Sequence, residues 1–395
     1  MKMIKSSARA PFHVMVKPIG AQCNLRCDYC FYLEKTELYP GRKAADYRMH
    51  DETLKTLIRA QIESRTPGQN EVTFAWQGGE PTLMGIPFFE RVVKLQRKYA
   101  PKGVVISNAF QTNGVLITDD FARFFHDHQF LLGVSIDGPE QLHDRFRVDT
   151  AGRGTFNAVM AGIERLNRHQ VEYNLLTVVQ SDNSQHPEQV YDFLTGLGSP
   201  FLQFIPIVEP AALTLVGSRS VSGEQWGEFL NRVFHRWRAK DIGRVYVQHF
   251  DMLLGLVLGY PASLCVHAPQ CGRGLALEHN GDLFSCDHYV DREHFLGNIT
   301  SKSVAEMVDS PFQRTFGEGK SMSLPDICKQ CDYLGLCYGG CPKDRLVDTD
   351  TGKLNWLCAG YKAFYEETVP YFNAMAAALR QGLTASDYHR FRRAQ

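Results

Sequence analysis

Three closely spaced cysteines near the start of the chain have the residue type and the spacing of a metal-cluster site. Cys23, Cys27 and Cys30 lie in one short run, with three residues between the first pair and two between the second. Cysteine thiolates are the usual ligands of iron–sulfur clusters. Three such ligands on one loop can hold three irons of a 4Fe–4S cluster and leave the fourth iron open to a small molecule. The spacing therefore predicts a cluster that takes part in chemistry.

Zinc is the main alternative for this loop, and scattered buried thiols are the second. A tetrahedral zinc site needs a fourth ligand, and no residue near the loop has an obvious zinc-finger spacing. A zinc-binding interaction protein would be colourless and free of iron. It would also give no purpose to the glycine and asparagine motifs that come later in the chain.

Composition excludes several other classes of protein. The chain has 395 residues, and its 43 Lys and Arg balance its 43 Asp and Glu, so nothing indicates nucleic-acid binding. No segment approaches the roughly 20 apolar residues that span a membrane. The N-terminus is basic without a following apolar segment, so we expect no signal peptide and a cytoplasmic location. An odd count of 11 cysteines argues against a complete disulfide framework.

Strand-like and helix-like segments alternate over the first two-thirds of the chain. This alternation predicts βαβ units and a parallel sheet, and six strands suit a partial (β/α)6 barrel better than a closed eight-stranded one. The predicted strands are Phe12–Lys17, Val72–Trp76, Val104–Ser107, Leu131–Ile136, Asn174–Val179 and Leu202–Ile205. The predicted helices among them are Asp51–Ser64, Pro87–Tyr99, Asp119–His128, Thr155–His169 and Pro187–Leu197.

Polar motifs lie at the ends of the first four predicted strands. The cysteine loop follows the first strand, Gln77–Pro81 follows the second, Gln111–Gly114 comes shortly after the third, and Ser135 ends the fourth. In α/β barrels, chemistry takes place at the carboxyl ends of the strands. We therefore expect these motifs to meet at one rim of the sheet.

The cysteine loop, with an aromatic residue before its last cysteine, resembles the signature of radical S-adenosylmethionine (SAM) enzymes. In those enzymes the amino and carboxylate groups of SAM chelate the open iron. Two glycines after a strand let the backbone approach a ligand, and the run Gly78-Gly79-Glu80-Pro81 resembles the family's SAM-contacting motif; a tight strand–helix turn is the alternative. The SAM contacts implied by the resemblance are Tyr29, Gly78, Gly79, Glu80, Ser135 and Arg147.

A second group of eight cysteines resembles the SPASM extension of peptide-modifying radical SAM enzymes. Eight thiolates are the number that two fully ligated 4Fe–4S clusters need. The resemblance implies two interleaved sets, which spacing alone does not yield. The first auxiliary cluster takes Cys265, Cys271, Cys286 and Cys341. The second takes Cys328, Cys331, Cys337 and Cys358. Half of a zinc ribbon at Cys328 and Cys331 is the alternative.

Six motifs together resemble the anaerobic sulfatase-maturating enzymes over about residues 12–375. They are Cys27-Asp28-Tyr29-Cys30-Phe31-Tyr32, Gln77–Thr82, Gln111–Gly114, Ser135–Pro139, Gln203–Pro206 and Asn280–Asp287. The resemblance implies three 4Fe–4S clusters, SAM as cofactor, and a 5′-deoxyadenosyl radical that removes hydrogen from Cβ of a substrate Cys or Ser. The product is Cα-formylglycine, the catalytic residue of sulfatases. Asp287 matches the family's base, and Tyr32 and Gln77 match positions near the peptide.

The resemblance also implies partners. We expect a sulfatase polypeptide as substrate, a reduced flavodoxin or ferredoxin type electron donor, and a monomer that binds neither nucleic acid nor membrane. The alternative function is a SPASM radical SAM enzyme that modifies a different protein or a ribosomal peptide. Enzymes of the latter kind often carry an N-terminal peptide-recognition domain, and only 22 residues precede Cys23. The sequence leaves open the oxidised residue, the sulfatase, the donor and the oligomeric state.

The predicted domain organisation has four segments. Residues 1–210 form the radical SAM partial barrel, 211–264 a helical connector, 265–375 the auxiliary-cluster domain with a C-terminal helix, and 376–395 a polar tail. In the connector, an apolar stripe over 223–239 predicts a core-facing or docking helix. The C-terminal helix, Ala359 to about Gln381, is expected to be interrupted at Pro370.

Overall fold

The structure, a computed structural model, describes residues 7–41, 43–211 and 215–391. Its strands are β1 (His13–Lys17), β2 (Glu71–Trp76), β3 (Val105–Thr112), β4 (Phe130–Ser135), β5 (Tyr173–Val179), β6 (Phe201–Pro206), β7 (Tyr246–Val247), β8 (Gly274–Glu278), β9 (Asp282–Phe284), β10 (Phe295–Asn298), β11 (Arg345–Thr349) and β12 (Gly352–Asn355). Its α-helices are α1 (Asp51–Glu63), α2 (Ile86–Tyr99), α3 (Asp119–Asp127), α4 (Glu140–His143), α5 (Phe156–Arg168), α6 (Pro187–Thr195), α7 (Gly223–Lys240), α8 (Gln248–Leu258), α9 (Val304–Val308), α10 (Pro311–Met322), α11 (Asp326–Lys329), α12 (Leu334–Cys337) and α13 (Cys358–Arg380). Short 3-10 helices include Pro81–Met84 and Ala385–Arg390.

The predicted alternation of strands and helices is confirmed, and so is the α/β class. Each of the six predicted strands is present, and most of their ends differ from the prediction by one residue. The largest difference is at β3, which continues through Gln111 and Thr112. The pairing of β3 with β2 and β4 along its length stabilises this extension, although Asn and Gln are not strong strand formers.

The chain divides into two compact units, and neither is continuous in sequence. The first unit comprises residues 1–135, 144–173 and 272–317, apart from those outside the described ranges. Its sheet has the order β10-β9-β8-β1-β2-β3-β4. Strands β1 to β4 and β8 are parallel neighbours, whereas β9 and β10 are antiparallel. The sequence analysis did not predict β8, β9 or β10, which come from the cysteine-rich segment.

The second unit comprises residues 136–143, 174–271 and 318–395, with the same exceptions. It contains the parallel row β5-β6-β7, the antiparallel pair β11-β12 and the long helices α7, α8 and α13. The predicted stripe of α7 is confirmed as core, because every member is buried. Its members are Trp226, Phe229, Leu230, Val233 and Trp237.

Helices α7 and α13 touch backbone to backbone. A Cβ added to Gly227 would lie 2.8 Å from Cα of Gly360, and a Cβ on Gly360 would lie 2.1 Å from the carbonyl oxygen of Gly223. Close packing of aromatic rings continues this contact, with Phe234 and Phe372 centred 5.3 Å apart. Glycine at these positions therefore sets how closely the two helices approach.

The expected interruption of the C-terminal helix is wrong, since α13 runs through Pro370 without a break. Proline removes one backbone donor, but Tyr365 and Phe372 are buried on either side of it, so packing stabilises both halves. The helix begins at Cys358.

Other predictions fall partly outside the described ranges. These are the basic start at residues 1–6, the connector at 212–214 and the end of the polar tail at 392–395. Within 7–41, 43–211 and 215–391, no helix has both the length and the apolar character that crossing a membrane requires.

Substitution of Gly227 by alanine should destabilise the second unit. The added methyl group would meet the α13 backbone, which cannot rotate away as a side chain can, and overpacking of this kind costs about 1–3 kcal/mol. Thermal unfolding followed by circular dichroism measures the effect. Gly255→Ala is the matched control, because Gly255 lies in α8 with nothing within 4 Å of its Cβ position. An unchanged midpoint for Gly227→Ala would contradict the contact.

Candidate active site and cluster ligands

The cysteine loop is held in place by backbone hydrogen bonds to a later segment of the first unit. Arg26 N–H donates to the carbonyl of Val148 at 2.9 Å, and Asp28 N–H donates to that of Phe146 at 3.0 Å. Between these two carbonyls lies Arg147, whose guanidinium carbon is 5.6 Å from the centre of the Tyr29 ring. The structure thus brings two of the predicted SAM contacts, Tyr29 and Arg147, to the cysteine loop.

Cys23 has the environment of a thiol that needs a metal to ionise. Its sulfur accepts from the Leu25 N–H at 3.3 Å and from the Asn113 amide at 3.7 Å. Burial, together with negative charge at Glu80, Cys27 and Cys30, raises the pKa of Cys23 to about 12, and the Leu25 hydrogen bond opposes the shift. A thiolate here therefore requires a cation, and metal binding releases the proton.

The three cysteines fit an iron–sulfur cluster because they lie on one loop and their charges interact, although their sulfur atoms are not arranged around a common metal position. Cys23, Cys27 and Cys30 are close enough for their charges to interact, and Cys30 N–H donates to the Cys27 carbonyl at 3.0 Å. As the side chains stand in the described ranges, no three His, Cys, Asp or Glu groups are gathered in metal-binding geometry. The cluster itself would complete the arrangement.

The two glycines after β2 pack against the entry to the cysteine loop. Gly79 N–H donates to the carbonyl of Gly20 at 2.8 Å, and Glu80 N–H donates to that of Gln22 at 2.9 Å. A Cβ on Gly79 would lie 1.9 Å from the Gln22 carbonyl oxygen, and Gly78 has φ +131°, a left-handed conformation that favours glycine. The motif thus positions the residues directly before Cys23.

The Glu80 side chain is fully engaged inside the protein. One carboxylate oxygen accepts from the Thr82 hydroxyl at 2.7 Å, the Thr82 N–H at 3.0 Å and the Thr112 hydroxyl at 2.9 Å. The other oxygen accepts from the Asn113 N–H at 2.7 Å. Complete burial raises the pKa of Glu80, and these hydrogen bonds oppose the shift. The carboxylate therefore joins the ends of β2 and β3.

Asn113, in the Gln111–Gly114 motif, connects Glu80 with the cysteine loop. Besides its contact with the Cys23 sulfur, its side-chain amide donates to Asn24 Oδ1 at 2.8 Å. The expected meeting of the second and third motifs with the cysteine loop is confirmed by these contacts. Ser135 ends β4, which pairs in parallel with β3, and is buried.

A buried cluster of polar groups surrounds Lys17, the last residue of β1. Its ammonium group lies 2.5 Å from Asp287 Oδ1, donates to Gln77 Oε1 at 3.0 Å and lies 4.5 Å from the centre of the Tyr32 ring. The Tyr32 hydroxyl in turn donates to Glu278 Oε1. The structure therefore brings the predicted base Asp287 together with both predicted peptide-side residues, Tyr32 and Gln77.

Strand register explains this meeting. Val16 pairs with Trp76 across β1 and β2, and Lys17 pairs with Glu278 across β1 and β8. Consequently Gln77, Lys17 and Glu278 lie side by side at the carboxyl edge of the sheet. Sequence reasoning missed Lys17 and Glu278. The available signal was that each of two largely apolar segments ends in a charged residue, Lys17 in one and Glu278 in the other.

The second predicted auxiliary set is close together in the second unit. Burial, together with negative charge at Cys337, Cys328 and Cys331, raises the pKa of Cys358 to about 11. Burial likewise raises the pKa of Cys337 to about 11, against hydrogen bonds from the Gly339 and Gly340 N–H groups. Four thiols that perturb one another in this way suit a shared cation.

Three members of the first predicted auxiliary set lie around another buried lysine. Cys265, Cys271 and Cys341 are the residues whose charges act on Lys320. The fourth member, Cys286, belongs to the first unit and directly precedes Asp287. Cys265, Cys271 and Cys341 are therefore neighbours of one lysine, and the assignment of all four cysteines to one cluster stays a prediction.

Two family models match this chain. The model of the radical SAM superfamily matches residues 18–194, and that of SPASM, an iron–sulfur cluster-binding domain, matches residues 265–332. The protein is a radical SAM enzyme with a SPASM domain, so its cofactors are SAM, the 4Fe–4S cluster that binds it, and auxiliary iron–sulfur clusters. The predicted fold, a radical SAM partial barrel followed by a SPASM domain, is confirmed.

Several relatives match along nearly the whole chain. A serine-type anaerobic sulfatase-maturating enzyme from Bacteroides thetaiotaomicron is 41% identical over 95% of this chain and 95% of its own length. A cysteine-type enzyme from Clostridium perfringens is 34% identical over 91% of this chain and 97% of its own. The structure of native anSMEcpe with bound AdoMet and Cp18Cys peptide matches with TM-score 0.83 and 32% identity, covering 93% of this chain and 99% of that one. The chain belongs to the anaerobic sulfatase-maturating enzymes, the radical SAM enzymes that form formylglycine.

Substitution of Gly79 by alanine should release iron from the cysteine loop. The new methyl group cannot fit against the Gln22 carbonyl, so the loop must shift. We expect loss of the SAM-binding cluster, measured as iron per chain and as 5′-deoxyadenosine formed from SAM. Gly274→Ala is the control, since a Cβ at the start of β8 meets nothing within 4 Å. Full iron and normal SAM cleavage in Gly79→Ala would refute the positioning role.

Proposed function

We propose that this protein oxidises Cβ of a Cys or Ser side chain in a sulfatase polypeptide to Cα-formylglycine. The observation that carries the proposal is the buried Asp287–Lys17 pair next to Gln77 and Tyr32. Tyr32 shares one apolar cluster with Ala276, Phe284 and Val290, and Cys30 packs against that cluster. Tyr32 therefore lies between the Asp287–Lys17 pair and an apolar cluster that a predicted cluster ligand, Cys30, contacts.

Roles follow for the residues of the first unit. When bound, the cluster and SAM supply the 5′-deoxyadenosyl radical that takes a hydrogen atom from Cβ of the substrate. Cys23, Cys27 and Cys30 would hold the cluster. Gly78 and Gly79 would contact SAM through their backbone, and Tyr29, Ser135 and Arg147 through their side chains. Glu80 would stabilise the glycine turn through its buried hydrogen bonds.

Asp287 would act as the general base. A base must lie within hydrogen-bond reach of the proton that it removes, and the ion pair with Lys17 fixes where the Asp287 carboxylate lies. Asp287 would take the proton of the substrate thiol or hydroxyl while the carbon–heteroatom double bond forms, and the remaining electron would leave to an auxiliary cluster. For a Cys substrate, hydrolysis of the thioaldehyde would then release sulfide and give formylglycine. Tyr32 and Gln77 would orient the peptide beside it, and Lys17 would orient Asp287.

The auxiliary ligands and the domain boundaries are part of the same proposal. One set would be Cys265, Cys271, Cys286 and Cys341, and the other Cys328, Cys331, Cys337 and Cys358. In sequence terms, the barrel segment would comprise 1–210, the connector 211–264, the auxiliary-cluster domain 265–375 and the tail 376–395. We also propose a reduced flavodoxin or ferredoxin type donor, a monomeric state and a cytoplasmic location.

A peptide assay tests the function directly. The protein is reconstituted anaerobically with iron and sulfide and then mixed with SAM, a reductant and a sulfatase-motif peptide in Cys and Ser versions. We expect formylglycine by mass spectrometry together with 5′-deoxyadenosine, and the two peptides identify the oxidised residue. Deoxyadenosine without peptide oxidation would instead favour the alternative function, modification of another protein or a ribosomal peptide.

Two variants separate radical formation from proton removal. Cys27→Ala should abolish SAM cleavage, because the loop loses a cluster ligand. Asp287→Asn should still form 5′-deoxyadenosine but lose most of the formylglycine, because an amide does not accept the proton. The readout is the ratio of formylglycine to deoxyadenosine. Full product from Asp287→Asn would show that another group is the base.

Lys17→Met should lower the amount of formylglycine formed per SAM cleaved, as Asp287→Asn should. Loss of the ammonium group removes the partner of Asp287, so we expect the ratio of formylglycine to deoxyadenosine to fall by an order of magnitude or more. Lys17→Arg keeps the charge and should retain part of the ratio. Lys55→Met changes a half-buried lysine that pairs with Asp51, and it is the control. Equal ratios in Lys17→Met and the unmodified protein would exclude a role for Lys17.

A further inference from the structure

The second unit contains two buried cations, Lys320 and Arg345, that lack a carboxylate partner. Their exposed fractions are 1% and 7%. Within the described part of the chain, neither forms a salt bridge with Asp or Glu, whereas the buried Lys17 of the first unit pairs with Asp287. A buried charge without a counter-charge is costly, so this pair calls for an explanation.

Lys320 is directed at the loop that carries Cys265. Its ammonium group donates to the carbonyl oxygens of Cys265 at 2.7 Å and Val266 at 2.9 Å, and also to that of Ala268. Three carbonyls satisfy the donors of the ammonium group, but they do not neutralise its charge.

Arg345 lies between segments that carry ligands of both predicted auxiliary clusters. Its guanidinium donates to the carbonyls of Tyr338 at 3.0 Å and Gly339 at 3.2 Å, in the short stretch from Cys337 to Cys341. It also donates to the Lys320 carbonyl at 2.7 Å, which links the two cations. A single hydrogen-bonded network therefore joins the Cys265 loop with the Cys337–Cys341 stretch.

The thiols are the negative groups within reach. Burial lowers the pKa of Lys320, and charge at Cys271, Cys265 and Cys341 opposes the shift. Burial also lowers the pKa of Arg345, and charge at Cys328, Cys271, Cys341 and Cys337 opposes it. Arg345 thus interacts with cysteines of both sets. A cubane cluster with four thiolates carries net negative charge that increases on reduction, and that charge is one determinant of its potential.

We propose that Lys320 and Arg345 are the counter-charges of the two auxiliary clusters and raise their reduction potentials. The proposal rests on the ligand sets given under the proposed function, but it does not depend on the identity of the substrate. Because each cation stabilises the more negative, reduced cluster, the pair would favour acceptance of an electron. Since Arg345 lies between the two sets, its removal should affect both clusters.

Potentiometric titration followed by electron paramagnetic resonance tests this inference. The full-length chain with Cys23, Cys27 and Cys30 changed to Ala isolates the auxiliary clusters, and iron analysis should give about 8 irons per chain. In this background Lys320→Gln and Arg345→Gln remove one charge each while keeping a side-chain donor. Lys320→Arg and Arg345→Lys keep the charge. Lys329→Met is the control, because Lys329 adjoins Cys328 but is exposed and paired with Asp326.

We expect the neutral variants to titrate at lower potential, with at least a tenfold smaller ratio of reduced to oxidised cluster at a fixed potential, which corresponds to about 59 mV for one electron. The charge-conserving variants and the control should stay near the parent. Full iron with unchanged potentials in the neutral variants would overturn the proposal. If only Lys320→Gln and Arg345→Gln lose iron, the counter-charge role is supported. If Lys320→Arg and Arg345→Lys lose iron equally, the positive charge is not what matters and the proposal is refuted. If the peptide assay fails, the cluster potentials can still be measured. That failure would count against the proposed substrate and not against the role of Lys320 and Arg345.

Discussion

The parallel pairing of β8 with β1 is the constraint on which the candidate site depends. Without it, the cysteine loop and the glycine turn would still lie at the ends of β1 and β2, but residues 274–287 would have no fixed place beside them. The register of five residue pairs places Glu278 against Lys17 and brings Asp287 within 2.5 Å of the same ammonium group. The first unit therefore joins the two sequence regions that contain the conspicuous motifs.

The features that could be predicted from the sequence are those that depend on residues close together in the chain. Cysteine spacing, the Gly78–Glu80 turn and strand–helix alternation all depend on residues near one another in the chain, so each can be read directly. Lys17, Glu278 and strand β8 were missed because their importance comes from pairing between residues 261 positions apart, which no local pattern encodes. The same reason applies to Pro370, where burial of rings on both sides outweighs the helix-breaking preference of proline.

Buried charge is handled differently in the two units. In the first unit Lys17 has a carboxylate partner, and Glu80 has four donors, so each charge is compensated within the chain. In the second unit Lys320 and Arg345 use only neutral acceptors. Lys17 and Glu80 are compensated by groups of the chain itself, so their surroundings are stable with or without a cluster. Lys320 and Arg345 lack a counter-charge, so the stability of their surroundings depends on a bound anionic group.

The backbone contact between α7 and α13 has a consequence for the life of the protein before it acquires iron. Cys358 opens α13, and Gly360, two residues later, touches Gly223 and Gly227. Because ligand binding and packing are linked reciprocally, a metal held at Cys358 would tighten this helix pair, and an empty ligand set would leave it easier to open. Protein without iron would then be cut faster by proteases at the start of α13 than protein whose ligand set is filled.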